Sequence, residues 1–74
     1  MATKELNALG LRCPQPIMKM SSILMELSIG DILEVVGDCA TFEEDVRKWC
    51  ERLNKSLLWV RDEGDGKKRV QIQV

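Results

Sequence analysis

Seventy-four residues, 45% hydrophobic and 31% charged with a formal net charge of -1, describe one small domain over residues 1–74, of soluble globular composition. A core of that size encloses no large substrate or deep cofactor pocket, so chemistry belongs at the surface, and the near-zero charge gives no bulk drive towards a phosphate backbone. No apolar run approaches the ~20 residues of a membrane span and the N-terminus lacks a hydrophobic signal core, so a cytoplasmic protein without membrane contact is expected.

Leu6 to Leu9 reads as a short first strand closed by Gly10. The segment Leu9-Gly10-Leu11-Arg12-Cys13-Pro14-Gln15-Pro16 follows from its end. Proline suits the first helical position, because the amide there has no intrahelical partner and the ring already holds a helical φ. Pro14 therefore predicts a helix start with Cys13 as N-cap and Pro16 still in the first turn. Unpaired amides and the positive end of the helix dipole stabilise an anion there, which makes Cys13 a candidate thiolate nucleophile with Arg12 as an adjacent cation. The plain alternative is a helix start that carries a small apolar residue.

Ile17, Met20, Leu24 and Leu27, with Ile23 beside them, recur at three- and four-residue steps and form one apolar stripe of a helix ended by Gly30 and Asp31. Met18 and Met25 fall at the edge of that stripe and are assigned to the core. Lys19 is a further cation on the same helix. Ile32 to Val36, broken only by Glu34, reads as a largely buried strand closed by Gly37. Thr41-Phe42-Glu43-Glu44 has the form of a capping box, and it predicts a second helix to about Asn54. Its apolar stripe is Phe42, Val46, Trp49, Cys50 and Leu53, and its solvated face carries Glu43–Arg47, Glu44–Lys48 and Glu51–Lys55 pairs.

Leu57 to Arg61 and Arg69 to Val74 are strand-like, joined through the turn Glu63-Gly64-Asp65-Gly66. Val70, Ile72 and Val74 alternate with Arg69, Gln71 and Gln73, so the sheet has one covered and one wetter face. Trp59 points opposite Leu58 and Val60. The order is βαβαββ. Two helices packed on one face of four strands, an α+β two-layer sandwich, is the simplest way to bury these faces.

Cys13, Cys39 and Cys50 form an odd set without a short-range pair, a poor disulfide framework that suits a reducing compartment and leaves at least one thiol free. With no histidine and no closely spaced cysteine pair, no metal site is expected. Cys50 shares the apolar stripe of the second helix and reads as a buried, inert thiol. Cys39 occupies a strand-to-helix loop, as Cys13 does. Parallel packing of the first two strands would put both on one edge, as a possible second thiol of the site, although a small residue filling a tight loop is the simpler reading.

Leu9-Gly10-Leu11-Arg12-Cys13-Pro14-Gln15-Pro16 resembles the Cys-Pro-x-Pro signature of the TusA-like (SirA/YedF-type) sulfur carrier proteins, and the resemblance extends through size, element order and the Gly37-Asp38 close of the second strand. It implies a sheet order of 1-2-4-3, similar to the C-terminal domain of translation initiation factor 3. It also implies a sulfurtransferase-type carrier in which Cys13 accepts a sulfane sulfur from a cysteine desulfurase or rhodanese. Cys13 would hold it as a persulfide and relay it to a partner's cysteine, with Arg12, Pro14 and Pro16 in support and no cofactor. The family's pathways include tRNA thiolation, molybdenum cofactor assembly and sulfur oxidation. Many of its members have Asp-Pro-Ala where this chain has Asp38-Cys39-Ala40. The alternatives are a non-catalytic regulatory or RNA-contacting module of the same fold, against which the charge balance counts, or a thiol redox partner acting through Cys13.

Overall fold

The structure, a computed structural model, describes residues 2–74. Its elements run β1 (Thr3–Ala8), α1 (Gln15–Leu24), β2 (Ile32–Gly37), α2 (Phe42–Leu53), β3 (Ser56–Gly64) and β4 (Lys67–Gln73). The four strands form one mixed sheet in the order β1-β2-β4-β3. β1 pairs with β2 in parallel, with Thr3 opposite Ile32 and Ala8 opposite Gly37. β4 is antiparallel to both of its neighbours. The expected βαβαββ order and 1-2-4-3 sheet are those observed.

Both helices pack on one face. Met20, Phe42, Val46 and Trp49 are buried there against Leu33, Val35, Val70 and Ile72, with Leu6 and Ala8 closing the β1 side. Burying each of the larger side chains contributes about 1.5–3 kcal/mol. Trp49 Nε1 also donates to Ser21 Oγ at 3.0 Å, which joins the two helices and satisfies the indole N–H.

The opposite face carries polar side chains in a connected row. Trp59 Nε1 donates to Gln71 Oε1, Gln71 Nε2 to Glu34 Oε1, and Arg69 bridges Glu34 at 2.9 Å and Glu63 at 3.1 Å. Arg61 also reaches Glu63 and lies 5.1 Å from the centre of the Trp59 ring. Trp59 thus lies away from the helices. A register shift between Leu57 and Trp59 makes Leu58 the extra residue of a bulge, so the inward pair is Leu57 and Val60, and Leu58 is exposed instead of sharing the Val60 face.

Several boundaries move from those the sequence predicts. α1 ends at Leu24, not at Gly30, because the Glu26 and Leu27 amides turn back to the Ile23 and Leu24 carbonyls three residues earlier and tighten the last turn. Met25 therefore lies beyond the helix, and Met18 stands on the side opposite Met20. Both are exposed, which corrects their assignment to the core. β1 begins three residues earlier than its apolar part, since pairing with β2 carries Thr3 and Lys4 into the ladder. Asn54 closes α2 in the left-handed region at φ 59, with the Lys55 amide bonded to the Cys50 carbonyl. Asp65 and Gly66, both at positive φ, form the two-residue β3–β4 connection.

Asp31 gathers the chain at the far end of β1 and β2. Its carboxylate accepts the Ala2 and Ser28 amides, the Val74 amide bonds its carbonyl, and the Gly30 amide bonds the Val74 carbonyl.

Candidate functional site

β1 and β2 run in parallel, so their C-terminal ends open into two loops side by side at one edge of the sheet. The first carries Cys13 into α1, and the second carries Cys39 into α2. Gly10, at φ 79, donates its amide to Asp38 Oδ1 at 3.0 Å and ties one loop to the other. Cys13 and Cys39 meet across this junction with Cα atoms 5.8 Å apart and their sulfurs bonded as a disulfide. That is well within the separation a disulfide requires. The 26-residue separation carries no pairing signal of its own, but the shared edge expected from parallel β1 and β2 is the one observed. The poor disulfide framework expected from the spacing is therefore corrected by the fold, and Cys39 belongs with Cys13.

Cys13 is exposed and Cys39 partly buried. The Cys13-Pro14 peptide is cis. The N-cap of α1 is Pro14, with Gln15 as the first helical residue, so Cys13 stands one position before the cap it was expected to occupy. Pro16 lies in the first turn as expected and is buried.

The amides expected to face an anion at this helix start are engaged elsewhere. Pro14 and Pro16 have no N–H, the Gln15 amide bonds the Arg12 carbonyl at 2.7 Å, and the Ile17 amide bonds the Pro14 carbonyl at 3.0 Å. Since the positive end of a helix dipole resides largely in unsatisfied amides, α1 offers Cys13 less of it than the sequence predicts.

A hydroxyl from the other helix takes that place. Thr41 Oγ1 lies 3.1 Å from Cys13 Sγ, 3.9 Å from Cys39 Sγ and 3.0 Å from Asp45 Oδ2. Thr41 is the N-cap residue of α2, but its side chain makes no cap hydrogen bond, so the capping box read from the sequence is not formed. A hydroxyl has one proton to give, and an ionised carboxylate can only accept. The charge-assisted bond to Asp45 is the stronger claim on that proton, which leaves a Thr41 lone pair facing the sulfurs. Sequence pattern alone assigns neither Thr41 nor Asp45 to the site. Their signal lay in the i, i+4 spacing across the start of α2, next to Cys39.

Arg12, Cys13, Asp38 and Cys39 line one open hollow of about 410 Å³. Lys19 lines a neighbouring hollow with Leu11 and Met18. Cys50 is buried in the core, and desolvation pushes its thiol above the ordinary value. Among the described residues, Cys13 Sγ, Cys39 Sγ and an Asp45 carboxylate oxygen all lie within 4.8 Å of one another and could hold a metal ion in the dithiol form, a juxtaposition that cysteine spacing does not reveal. While the sulfurs are bonded to each other, neither is a thiolate ligand.

A family profile described as sulfurtransferase TusA matches residues 4–74. Among solved structures, the crystal structure of a SirA-like protein from Desulfitobacterium hafniense is similar over 100% of this chain and 97% of its own, at 25% sequence identity and a TM-score of 0.82.

Proposed function

Because the chain belongs to the TusA sulfurtransferase family, whose role is to carry sulfur, we propose that Cys13 is its carrier atom, holding a sulfane sulfur as a persulfide and passing it to the cysteine of a relay partner. The observation that carries this reading is the position of Cys13. It is exposed, just before α1, in the hollow between the two loops, where another protein's cysteine can reach it.

In loading, the Cys13 thiolate attacks the terminal sulfur of a donor persulfide, and the donor cysteine leaves as its thiolate. In delivery, an acceptor thiolate attacks the terminal sulfur on Cys13, which leaves in turn. A cysteine desulfurase or rhodanese supplies the donor persulfide. Pro16 is buried in the first turn and Pro14 removes an amide at the entry to the helix, and the two rings restrict the backbone behind the sulfur. Arg12, lining the same hollow, is the cation nearest in sequence to the anionic sulfur. On the helix-free face, Arg61 and Arg69 are paired with Glu63 and Glu34, which weakens the RNA-contacting alternative.

The test is intact mass of reduced protein after incubation with a cysteine desulfurase and cysteine. Wild type gains the mass of one sulfur atom, and Cys13→Ser gains none. Loading that persists in Cys13→Ser refutes the assignment.

A further inference from the structure

We propose that Cys39 resolves the persulfide on Cys13, so that the protein releases sulfide as well as passing sulfane sulfur on, a role that rests on Cys13 being the carrier. A side chain that merely filled the β2–α2 loop would pack within that loop. Cys39 does pack in part against the core, but it also meets a sulfur 26 residues away, with Cα atoms 5.8 Å apart, a distance that bonds the pair without backbone movement. The approach is held from outside the cysteines, because the β1–β2 register starts both loops side by side and the Gly10–Asp38 hydrogen bond joins them.

The resolving step balances without another reactant. Cys39 Sγ attacks Cys13 Sγ, the bond between these sulfurs forms, and the bond from Cys13 to the terminal sulfur breaks. The bonding pair leaves with the terminal sulfur, which takes the Cys39 proton and departs as hydrosulfide. The sulfane sulfur is reduced, and the two cysteines are oxidised to the disulfide. Thr41 Oγ1, which lies 3.1 Å from Cys13 Sγ and 3.9 Å from Cys39 Sγ, is the hydroxyl in reach of both sulfurs for that proton. A dithiol reductant then returns the pair to thiols by exchange at the exposed Cys13 sulfur. Each loaded molecule thus has two outcomes. An acceptor thiolate that reaches the terminal sulfur first receives it, and otherwise Cys39 expels it.

The test starts from reduced protein loaded with a cysteine desulfurase and cysteine, then freed of both, and follows intact mass and released sulfide with time. Wild type is expected to shed its added sulfur as sulfide and to yield a Cys13–Cys39 bridged peptide. Cys39→Ser and Cys39→Ala should keep the sulfur on the order of tenfold longer, as the advantage of an intramolecular attack implies. Equal lifetimes in wild type and both variants, or sulfur loss without the bridged peptide, overturn the role of Cys39 and leave the carrier reading standing. Failure of wild type and both variants to gain sulfur overturns the carrier reading and the role of Cys39 with it.

Discussion

Asp45 ends a short chain of polar contacts that begins at a sulfur: Cys13 Sγ, Thr41 Oγ1, Asp45 Oδ2. Its negative charge, within 4.8 Å of both sulfurs, opposes a thiolate there and holds the Thr41 proton away from it. Asp45→Asn should therefore raise the alkylation rate of reduced Cys13 at neutral pH by roughly three- to tenfold. The pH profile of iodoacetamide labelling checks this, and an unchanged profile removes Asp45 from the control of the thiol. Cys50 differs in being enclosed by the core, where it is 4% exposed. Cys50→Ser should cost about 1–3 kcal/mol in urea unfolding, the cost of a buried hydroxyl without a partner, and should leave sulfur loading intact. The start of α1 was legible to within one residue, because two prolines limit where a helix can begin, although Pro14 and not Cys13 is its cap. Thr41 holds the N-cap position the sequence predicts, but its hydroxyl turns to Cys13 and Asp45 instead of a cap amide, which shows only once the other loop is in place.

The start of α2 is set against the end of β2 by a contact that leaves no room for a side chain at Gly37. A Cβ on that residue would lie 2.8 Å from the Phe42 ring, which is itself 2% exposed and enclosed by the core. Gly37→Ala should thus destabilise the fold by about 1–3 kcal/mol, the usual cost of overpacking, as read from the urea midpoint. It should also disturb the reactive edge, since the residues after Gly37 carry Asp38, Cys39 and Thr41. Wild-type stability in the variant would show that the ring moves aside freely. The elements themselves were legible, because Val70 and Ile72 alternate as a strand should and Phe42, Val46, Trp49 and Cys50 repeat as a helix should. The early end of α1 and the bulge at Leu58 were not. Both depend on which backbone groups pair after collapse, and side-chain periodicity does not record that.

At the scale of the whole fold, three carboxyls among the described residues sit below their ordinary values. Glu43 is lowered first by Lys68 and then by Arg47, Glu63 by Arg69 and then Arg61, and Asp31 by the amides of Ser28 and Ala2. The folded state therefore binds these protons less readily than the unfolded chain. Their stabilisation is complete above the ordinary values of 4.5 and 3.8 and is lost as the pH falls through them towards the lower folded values. The urea midpoint should hold from neutrality to about pH 5 and decline below it, and Glu63→Gln should flatten part of that decline. A midpoint unchanged down to about pH 3 would mean that these groups contribute nothing to the acid response. The 1-2-4-3 order came from the motif's resemblance, because neighbouring strands that are distant in sequence leave no periodic trace. The Asp31 clasp has a practical consequence. It holds Ala2 and Val74 together at the starts of β1 and β2, while the sulfur pair lies beyond their finishes, a strand's length of roughly 17–20 Å away. An anchor attached at either terminus, whether a surface, a label or a fused protein, therefore leaves the sulfurs pointing outward, and a docking partner is met by the same end of the domain whichever terminus is tethered.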